Sequence, residues 1–106
     1  MATKKITLKS RSNIIANATL HPDGSVTVAR GSLASASESA SIAEAYVAVR
    51  RELREAKALV KGGAGLLRFA KPVKFSSASY AASIVLGRQV NGRTAWKDGE
   101  GDPIGA

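Results

Sequence analysis

An alternating segment that runs into a tight turn constrains the fold of this chain more than any other feature. Within residues 13–20, one side of an extended chain carries Ile14, Ala16, Ala18 and Leu20, and mainly polar residues occupy the other side. Residues 21–24, His-Pro-Asp-Gly, predict a turn because proline fixes φ at the first corner and glycine accepts a positive φ. Val26 and Val28 then point the same way within residues 25–30. We therefore predict a β-hairpin.

A helix is predicted from residue 41 by a capping box and by the spacing of apolar residues. Ser41 and Glu44 fit the Ser-x-x-Glu box, in which the two side chains satisfy free backbone N–H groups. Apolar residues follow at intervals of three and four, at Ile42, Tyr46, Val49, Leu53 and Ala56. The outer face carries a basic stripe of Arg50, Arg54 and Lys57. This stripe is either a solvated face or a surface that contacts phosphate, and the sequence leaves both open.

Two further elements are predicted in the second half of the chain. Residues 59–69 place a glycine-rich turn between apolar runs, which favours a short hairpin over a helix end followed by one strand. A second helix is predicted from Ser77, its N-cap, through Leu86, and Gly87 closes it. Its inner face is expected to carry Tyr80, Ala81, Ile84 and Val85. An Asn-Gly turn at residues 91–92 then precedes a short strand at residues 94–97.

These elements indicate an α+β fold: an N-terminal β-hairpin, a helix, a short glycine-turned hairpin, a second helix and a short C-terminal strand. The chain has 106 residues, of which 44% are hydrophobic, enough for one domain with a modest core. We assign residues 1–12 to a basic N-terminal arm, with a short strand at residues 6–8 as an alternative for its centre, and residues 13–100 to a single domain, with residues 31–40 as a loop. Residues 101–106 are expected to form a flexible tail.

The residue types present argue against an enzyme. The chain has no cysteine, which excludes disulfides, thiolate nucleophiles and cysteine-ligated metals. The single histidine, His21, falls in the predicted turn without partners for a metal site or a catalytic triad. We therefore expect no catalytic residue, no metal and no small-molecule cofactor. Short apolar runs and the lack of a signal-peptide pattern predict a cytoplasmic protein without a membrane partner.

The charge is distributed unevenly along the chain. Sixteen Lys and Arg residues outnumber eight Asp and Glu residues, which gives a formal net charge of +8. No acidic residue lies between Glu55 and Asp98, a stretch rich in Lys and Arg, and residues 1–12 are also basic and free of acids. Clustered cations favour a polyanionic partner, because neutralised phosphates release counterions. The plainer alternative is that the charge serves solubility alone.

We predict a nucleic-acid-binding site where the second helix begins and where the turn after it returns. Free N–H groups and the positive end of the helix dipole attract phosphate there, and serines can add hydrogen bonds. The candidate residues are Lys74, Ser77, Ser79, Arg88, Asn91, Arg93 and Lys97, with Arg50, Arg54 and Lys57 as a secondary basic patch. Trp96 is either a core residue, which we favour, or a platform on which a base stacks.

Residues 75–98 resemble a known bacterial family. The run reads FSSASYAASIVLGRQVNGRTAWKD. It is similar to the RAMA domain, named for its association with restriction-system adenine methylases, and to the domain found C-terminal to GIY-YIG nucleases and restriction-linked methylases. The residues that match the family pattern are Ser77, Ser79, Ala81, Ala82, Gly87, Arg88, Asn91, Gly92, Trp96 and Lys97. Ala78 stands where the family usually has proline, and Arg93 stands where it usually has its first tryptophan.

The resemblance implies DNA recognition in modification or restriction systems, with methylated adenine as one target. We therefore expect a non-enzymatic module whose partner is duplex DNA or a protein–DNA defence complex. The alternative is a small phage or mobile-element protein that inhibits a restriction enzyme or CRISPR effector by binding the protein directly. Binding to naked duplex would favour the first hypothesis, and binding only to a protein complex would favour the second.

Overall fold

Two antiparallel sheets pack against a buried helix in the residues that the computed structural model describes, 3–10 and 13–105. The strands are β1 (Lys4–Lys9), β2 (Ile15–Leu20), β3 (Val26–Val28), β4 (Leu33–Ser35), β5 (Leu59–Gly63), β6 (Leu66–Phe69) and β7 (Val73–Phe75). The helices are α1 (Glu44–Glu55), α2 (Ala78–Leu86) and α3 (Gly92–Ala95). The first sheet has the order β1-β2-β3-β7 and the second the order β4-β6-β5. The predicted α+β class is confirmed.

The N-terminal hairpin forms as predicted, from β2 and β3. Asp23 holds the turn, because its Oδ1 accepts hydrogen bonds from the Ser25 backbone N–H at 3.0 Å and from the Ser25 hydroxyl at 2.6 Å. Gly24 adopts a φ of 91°, which favours glycine. The ladder pairs Ala18 with Val28, and both side chains are buried. The alternation in the sequence therefore identifies correctly which face of this hairpin is buried.

Half of the predicted N-terminal arm belongs to the folded sheet. β1 pairs with β2 along all of Lys4–Lys9, and Ile6 and Leu8 on its inner side are 2% and 1% exposed. The assignment of these residues to an arm outside the domain is therefore wrong. A strand with two apolar side chains gives a weak pattern by itself, and its burial depends on the partner strand. Met1, Ala2, Arg11 and Ser12 of the predicted arm lie outside the described residues.

The C-terminal segment differs from the prediction in two ways. Residues 92–95 form a helical turn instead of the start of a strand, because the Asn91 side chain accepts a hydrogen bond from the Arg93 N–H and so begins a helix. Lys97 forms antiparallel bridges with Thr7 on one side and with Pro103 on the other. Residues 97–103 thus make a C-terminal hairpin beside β1, and the predicted tail is ordered through residue 105. Ala106 lies outside the described residues.

Helix α1 and the segments around it show further differences. The N-cap of α1 is Ala43, without a side-chain hydrogen bond, so the predicted capping box is wrong. Ser41 instead donates its N–H to the hydroxyl of Ser39. Strand β4 lies within the predicted loop of residues 31–40, and β7 directly precedes α2. Both strands have only three residues, too short for a recognisable alternation.

Helix α2 lies at the centre of the core and has the ends that the sequence predicts. Ser77 is the N-cap, and its hydroxyl accepts a hydrogen bond from the Tyr80 N–H at 3.1 Å. Gly87 ends the helix with a φ of 69°. The helix contacts α1, α3, β3, β4 and β7. Its five central residues, Ala81 to Val85, are all buried, as expected for a helix that is covered on every side.

A buried arginine joins α1 to the C-terminal end of α2. The Arg50 side chain is 0% exposed and donates hydrogen bonds to the backbone oxygens of Ile84 and Ser35. Its Nε lies 2.8 Å from Oε2 of Glu38, whose side chain is 24% exposed, so the ion pair is buried only on its arginine side. The last carbonyls of a helix have no partner within the helix and carry partial negative charge, so a guanidinium suits this position. The prediction that Arg50 belongs to an exposed basic stripe is therefore wrong, whereas Arg54 and Lys57 are exposed.

We predict that Arg50→Ala destabilises the domain by about 3–5 kcal/mol, because it leaves the Glu38 carboxylate and two carbonyls without their donor. Urea unfolding measures the loss. Arg50→Lys should restore little of it, since a single ammonium cannot replace a planar fork that reaches three acceptors. The matched control is Arg51→Ala, which removes an exposed neighbour and should change stability by less than about 0.5 kcal/mol. Equal unfolding midpoints for the Arg50 and Arg51 variants would contradict this role.

We also predict that the C-terminal hairpin loosens in acid. The N–H groups of Asp102 and Glu100 donate to the Asp98 carboxylate and hold its pKa below the ordinary 3.8. Because the folded pKa is lower than the unfolded one, the carboxylate stabilises the hairpin at pH values above the ordinary pKa. This contribution is lost as the pH falls through the lower folded pKa.

Amide hydrogen exchange at Glu100 and Asp102, corrected for the intrinsic rate at each pH, measures this effect. Protection should fall in the acidic range for the wild-type protein. Asp98→Asn keeps an oxygen acceptor but does not titrate, so its protection should not depend on pH in this range. The same acid sensitivity in both proteins would show that Asp98 is not responsible.

Candidate nucleic-acid interface

Trp96 fixes the short helix α3 against the start of α2. Its side chain is 0% exposed, and its indole Nε1 donates a hydrogen bond to the Ala78 carbonyl at 3.0 Å. The favoured prediction of a core role is confirmed. A buried indole cannot stack on a base, so the alternative role is wrong.

Gly92 allows the same two helices to approach each other closely. A Cβ at this position would lie 2.2 Å from the carbonyl carbon and oxygen of Ala78, which rules out any side chain without movement of the backbone. The Gly92 N–H donates to the hydroxyl of Ser79 at 2.9 Å. Ser79 is therefore engaged inside the protein, and the residues after α2 are held in a fixed position.

A basic groove forms where the end of β1 meets the segment that connects α2 to α3. It has a volume of about 710 Å³, and its polar lining includes Lys9, Arg88, Gln89, Asn91, Thr94 and Lys97. The cations come from β1, from the residue after Gly87 and from the residue after Trp96. None of the described residues that line this basic groove is acidic. Three separate parts of the chain thus contribute positive charge to one concave surface.

Local hydrogen bonds order the polar side of the basic groove. Lys97 donates from Nζ to the Thr94 carbonyl at 2.7 Å, at the end of α3. The Thr94 hydroxyl donates to the Asn91 carbonyl at 3.1 Å, and the Asn91 side chain caps the Arg93 N–H at 3.0 Å. Arg88 is exposed directly after the left-handed Gly87. The turn is therefore held by local hydrogen bonds, while Arg88 is exposed.

The remaining residues of the predicted site lie elsewhere. Ser77, Ser79 and Arg93 line a second groove of about 430 Å³ at the start of α2. The side chain of Arg93 lies against Gly105, since a Cβ on that glycine would be only 2.4 Å from the Arg93 Cβ. Lys74 is exposed on β7, opposite Thr27 in the first sheet. The basic groove therefore brings together Arg88, Asn91 and Lys97, and the other four candidates do not line it.

Residues 6–106 match a sequence model described as "Domain of unknown function (DUF4357)". The chain belongs to this family. No curated protein and no solved structure gives a match. The matched range includes most of β1 and the whole C-terminal hairpin, so the family unit extends beyond residues 13–100 at both ends. This agrees with the pairing of Thr7 with Lys97, which ties the two ends of the DUF4357 domain together.

Lys9 is the cation of the basic groove that the predicted site did not include; the neutral residues Gln89 and Thr94 were also absent from it. Lys9 was placed in an arm outside the domain, whereas it ends β1 and lines the basic groove beside Lys97. The alternation of Ile6 and Leu8 with Lys5, Thr7 and Lys9 was the available signal. It indicates a strand with one cationic face, although it does not show which part of the chain that face meets.

The aromatic side chains of the DUF4357 domain offer no stacking platform on its surface. Tyr80 packs with its ring centroid 5.3 Å from that of Tyr46 and 5.3 Å from that of Phe75. Both tyrosines are half-buried, and Phe69, Phe75 and Trp96 are buried. Ile15, at 46% exposure, is the large hydrophobic residue that the described surface presents.

The described residues carry neither a metal-binding cluster nor a membrane-spanning helix. These residues contain no group of three or more His, Cys, Asp or Glu side chains that could hold a metal ion. None of their helices is both long and apolar enough to cross a membrane. His21 is accounted for by its contact with Thr27, whose hydroxyl lies 2.7 Å from the His21 Nε2.

We predict that Trp96→Ala destabilises the domain by about 3–5 kcal/mol, the range for the truncation of a large buried aromatic residue. Thermal unfolding measures the change. Trp96→Phe retains much of the side-chain volume but loses the hydrogen bond to Ala78. Its stability should therefore lie between that of the wild type and that of the alanine variant. Arg88→Ala, at an exposed position nearby, is the control and should cost less than about 0.5 kcal/mol. Unchanged stability of Trp96→Ala would contradict the core role.

Proposed function

We propose that this domain is a non-enzymatic module that binds duplex DNA through the basic groove. The convergence of Lys9, Arg88 and Lys97 on a surface whose described lining has no acid is the observation that carries the proposal. Lys and Arg side chains placed in this way match the charge of a sugar-phosphate backbone. The Asn91 side-chain NH₂ group can add neutral hydrogen bonds to phosphate oxygens, because only its Oδ1 is engaged in capping the Arg93 N–H.

Duplex DNA fits this surface better than single-stranded nucleic acid does. Proteins that bind single strands combine a basic groove with aromatic side chains on which the bases stack. The five aromatic side chains here are buried or half-buried, so contacts to the backbone dominate the available chemistry. The phosphates of a duplex lie outward on a regular surface, and a groove lined by cations can follow them without unstacking any base.

Four of the eight acidic residues lie on or beside α1: Glu44, Glu52 and Glu55 lie on α1, and Glu38 is paired with the buried Arg50. None of these four lines the basic groove. Asp98 lies closer, because it lines an adjoining groove of about 510 Å³ together with Lys9 and Lys97. The formal net charge of +8 also raises the rate of encounter with a polyanion, an effect that falls as salt is added.

The sequence resemblance supports a more specific role within this proposal. Association of RAMA-like domains with GIY-YIG nucleases and restriction-linked methylases suggests that the bound DNA is a target of modification or restriction in the cytoplasm. Arg93 replaces the first tryptophan of that pattern and lies at the second groove, outside the basic groove. The backbone contacts proposed here therefore do not depend on the residue that departs from the pattern.

We predict that log K for a labelled duplex falls with log salt concentration with a slope of about −2.7, from about 0.9 per phosphate for three contacts. Fluorescence anisotropy between about 50 and 200 mM salt measures it. Lys9→Ala and Arg88→Ala should each reduce the slope by about one unit. Arg54→Ala, which removes an exposed cation of α1, is the matched control and should leave the slope unchanged.

Three outcomes would count against the proposal. Absence of binding to any duplex at low salt would exclude naked DNA as the partner. Binding to a restriction or CRISPR complex but not to its free DNA would favour the direct protein inhibitor. A slope lowered by Arg54→Ala and unaffected by Arg88→Ala would move the interface to α1.

A further inference from the structure

The outer side of the β1–β2 pair presents three cross-strand pairs of side chains. Lys5 pairs with Thr19, Thr7 with Asn17, and Lys9 with Ile15. We call these six residues the ribbon face. All six are exposed or half-buried, because the alternate residues Ile6, Leu8, Ala16 and Ala18 point into the core.

The ribbon face has cations at its ends and hydrogen-bonding groups at its centre. Thr7 donates from its hydroxyl to Oδ1 of Asn17 at 3.2 Å, which fixes the position of the Asn17 amide. The amide retains two N–H donors and one further lone pair. Ile15 adds an exposed aliphatic side chain beside Lys9. None of the six residues is acidic.

We infer that the ribbon face reads base edges in the DNA major groove, an inference that rests on the proposed binding of duplex DNA. Residues four apart on a strand are separated by about 13 Å, at about 3.3 Å per residue. The major groove is about 12 Å wide and admits a two-stranded ribbon. With the two strands lying along the groove, Lys5 and Lys9 on β1 reach phosphates along one edge of the major groove, and Thr7 and Asn17 between them face the base edges.

The side chains at the centre have the chemistry that this placement requires. An asparagine amide can donate one hydrogen bond to a base edge and accept another from it. A threonine hydroxyl can form a hydrogen bond with one atom of a base edge. An aliphatic side chain contacts the C5-methyl group of thymine. Asn17 and Ile15 are thus the positions expected to determine sequence preference, whereas Lys5 contributes affinity that does not depend on sequence.

The ribbon face is continuous with the basic groove, so one duplex can contact both. Lys9 belongs to the ribbon face and also lines the basic groove. Thr7, at the centre of the ribbon face, is bridged through its backbone to Lys97. A DNA strand whose phosphates contact Lys9 can therefore continue along the basic groove and contact Lys97 and Arg88.

The test is a selection from randomised duplexes, followed by titration of the selected sequence and a scrambled one. The wild-type protein should prefer the selected sequence, and Asn17→Ala should reduce that preference by about 5- to 150-fold, the range for one base-specific pair. Ile15→Ala should reduce it where thymine is selected. With Lys5 as a fourth phosphate contact the wild-type salt slope becomes about −3.6, and Lys5→Ala should reduce its magnitude by about one unit and keep the preference.

Arg54→Ala is the control, since it removes an exposed side chain of α1 that belongs to neither the ribbon face nor the basic groove. It should leave the sequence preference unchanged. Wild-type binding without any preference, or a preference that survives both Asn17→Ala and Ile15→Ala, would overturn the inference and leave the basic-groove proposal intact. Failure to bind any duplex would instead remove the proposed function, and the inference would fall with it.

Discussion

The buried guanidinium of Arg50 is the interaction on which the arrangement of the helices depends. It contacts a carbonyl of α2, a carbonyl of β4 and the carboxylate of Glu38, so it links one helix to another and to the second sheet. A charge in the core is costly unless every donor is satisfied, and no described buried side-chain polar atom lacks a partner. The end of α2 is therefore held in one position, and the Arg88 side chain follows directly from that end.

Two glycines fix where the candidate site lies relative to α2. Gly87 takes the left-handed conformation that ends α2, and a Cβ there would lie 2.2 Å from the Ser37 carbonyl oxygen. Gly92 sets the close contact of α3 with the start of α2, which Trp96 completes from the core side. The chain between these glycines is short, so Arg88 and Asn91 must turn toward the end of β1. The basic groove is a consequence of helix packing and not of a flexible loop.

Local signals in the sequence were sufficient for the first hairpin, the glycine-turned hairpin, both ends of α2 and the burial of Trp96. Each depends on residues close together in the chain, such as Ser77 with Tyr80. The environment of Arg50 could not be predicted, because its partners lie up to 34 residues away and a helical pattern with charged neighbours indicates a solvated face. The same reason explains β1 and the C-terminal hairpin, whose pairing of Thr7 with Lys97 has no local signature.

The candidate site shows why charge clustering along a sequence and charge clustering in space differ. The long stretch without acids suggested a single site near the start of α2, yet its cations are spread over the second groove, the first sheet and the basic groove. The basic groove instead combines Arg88 and Lys97 with Lys9, almost the whole chain away. Its third cation is supplied by the strand that pairs with β2 and bridges to Lys97. Loss of β1 pairing would therefore remove a charge from the basic groove and the cationic edge of the ribbon face together, which couples formation of the DNA-contacting surface to completion of the first sheet.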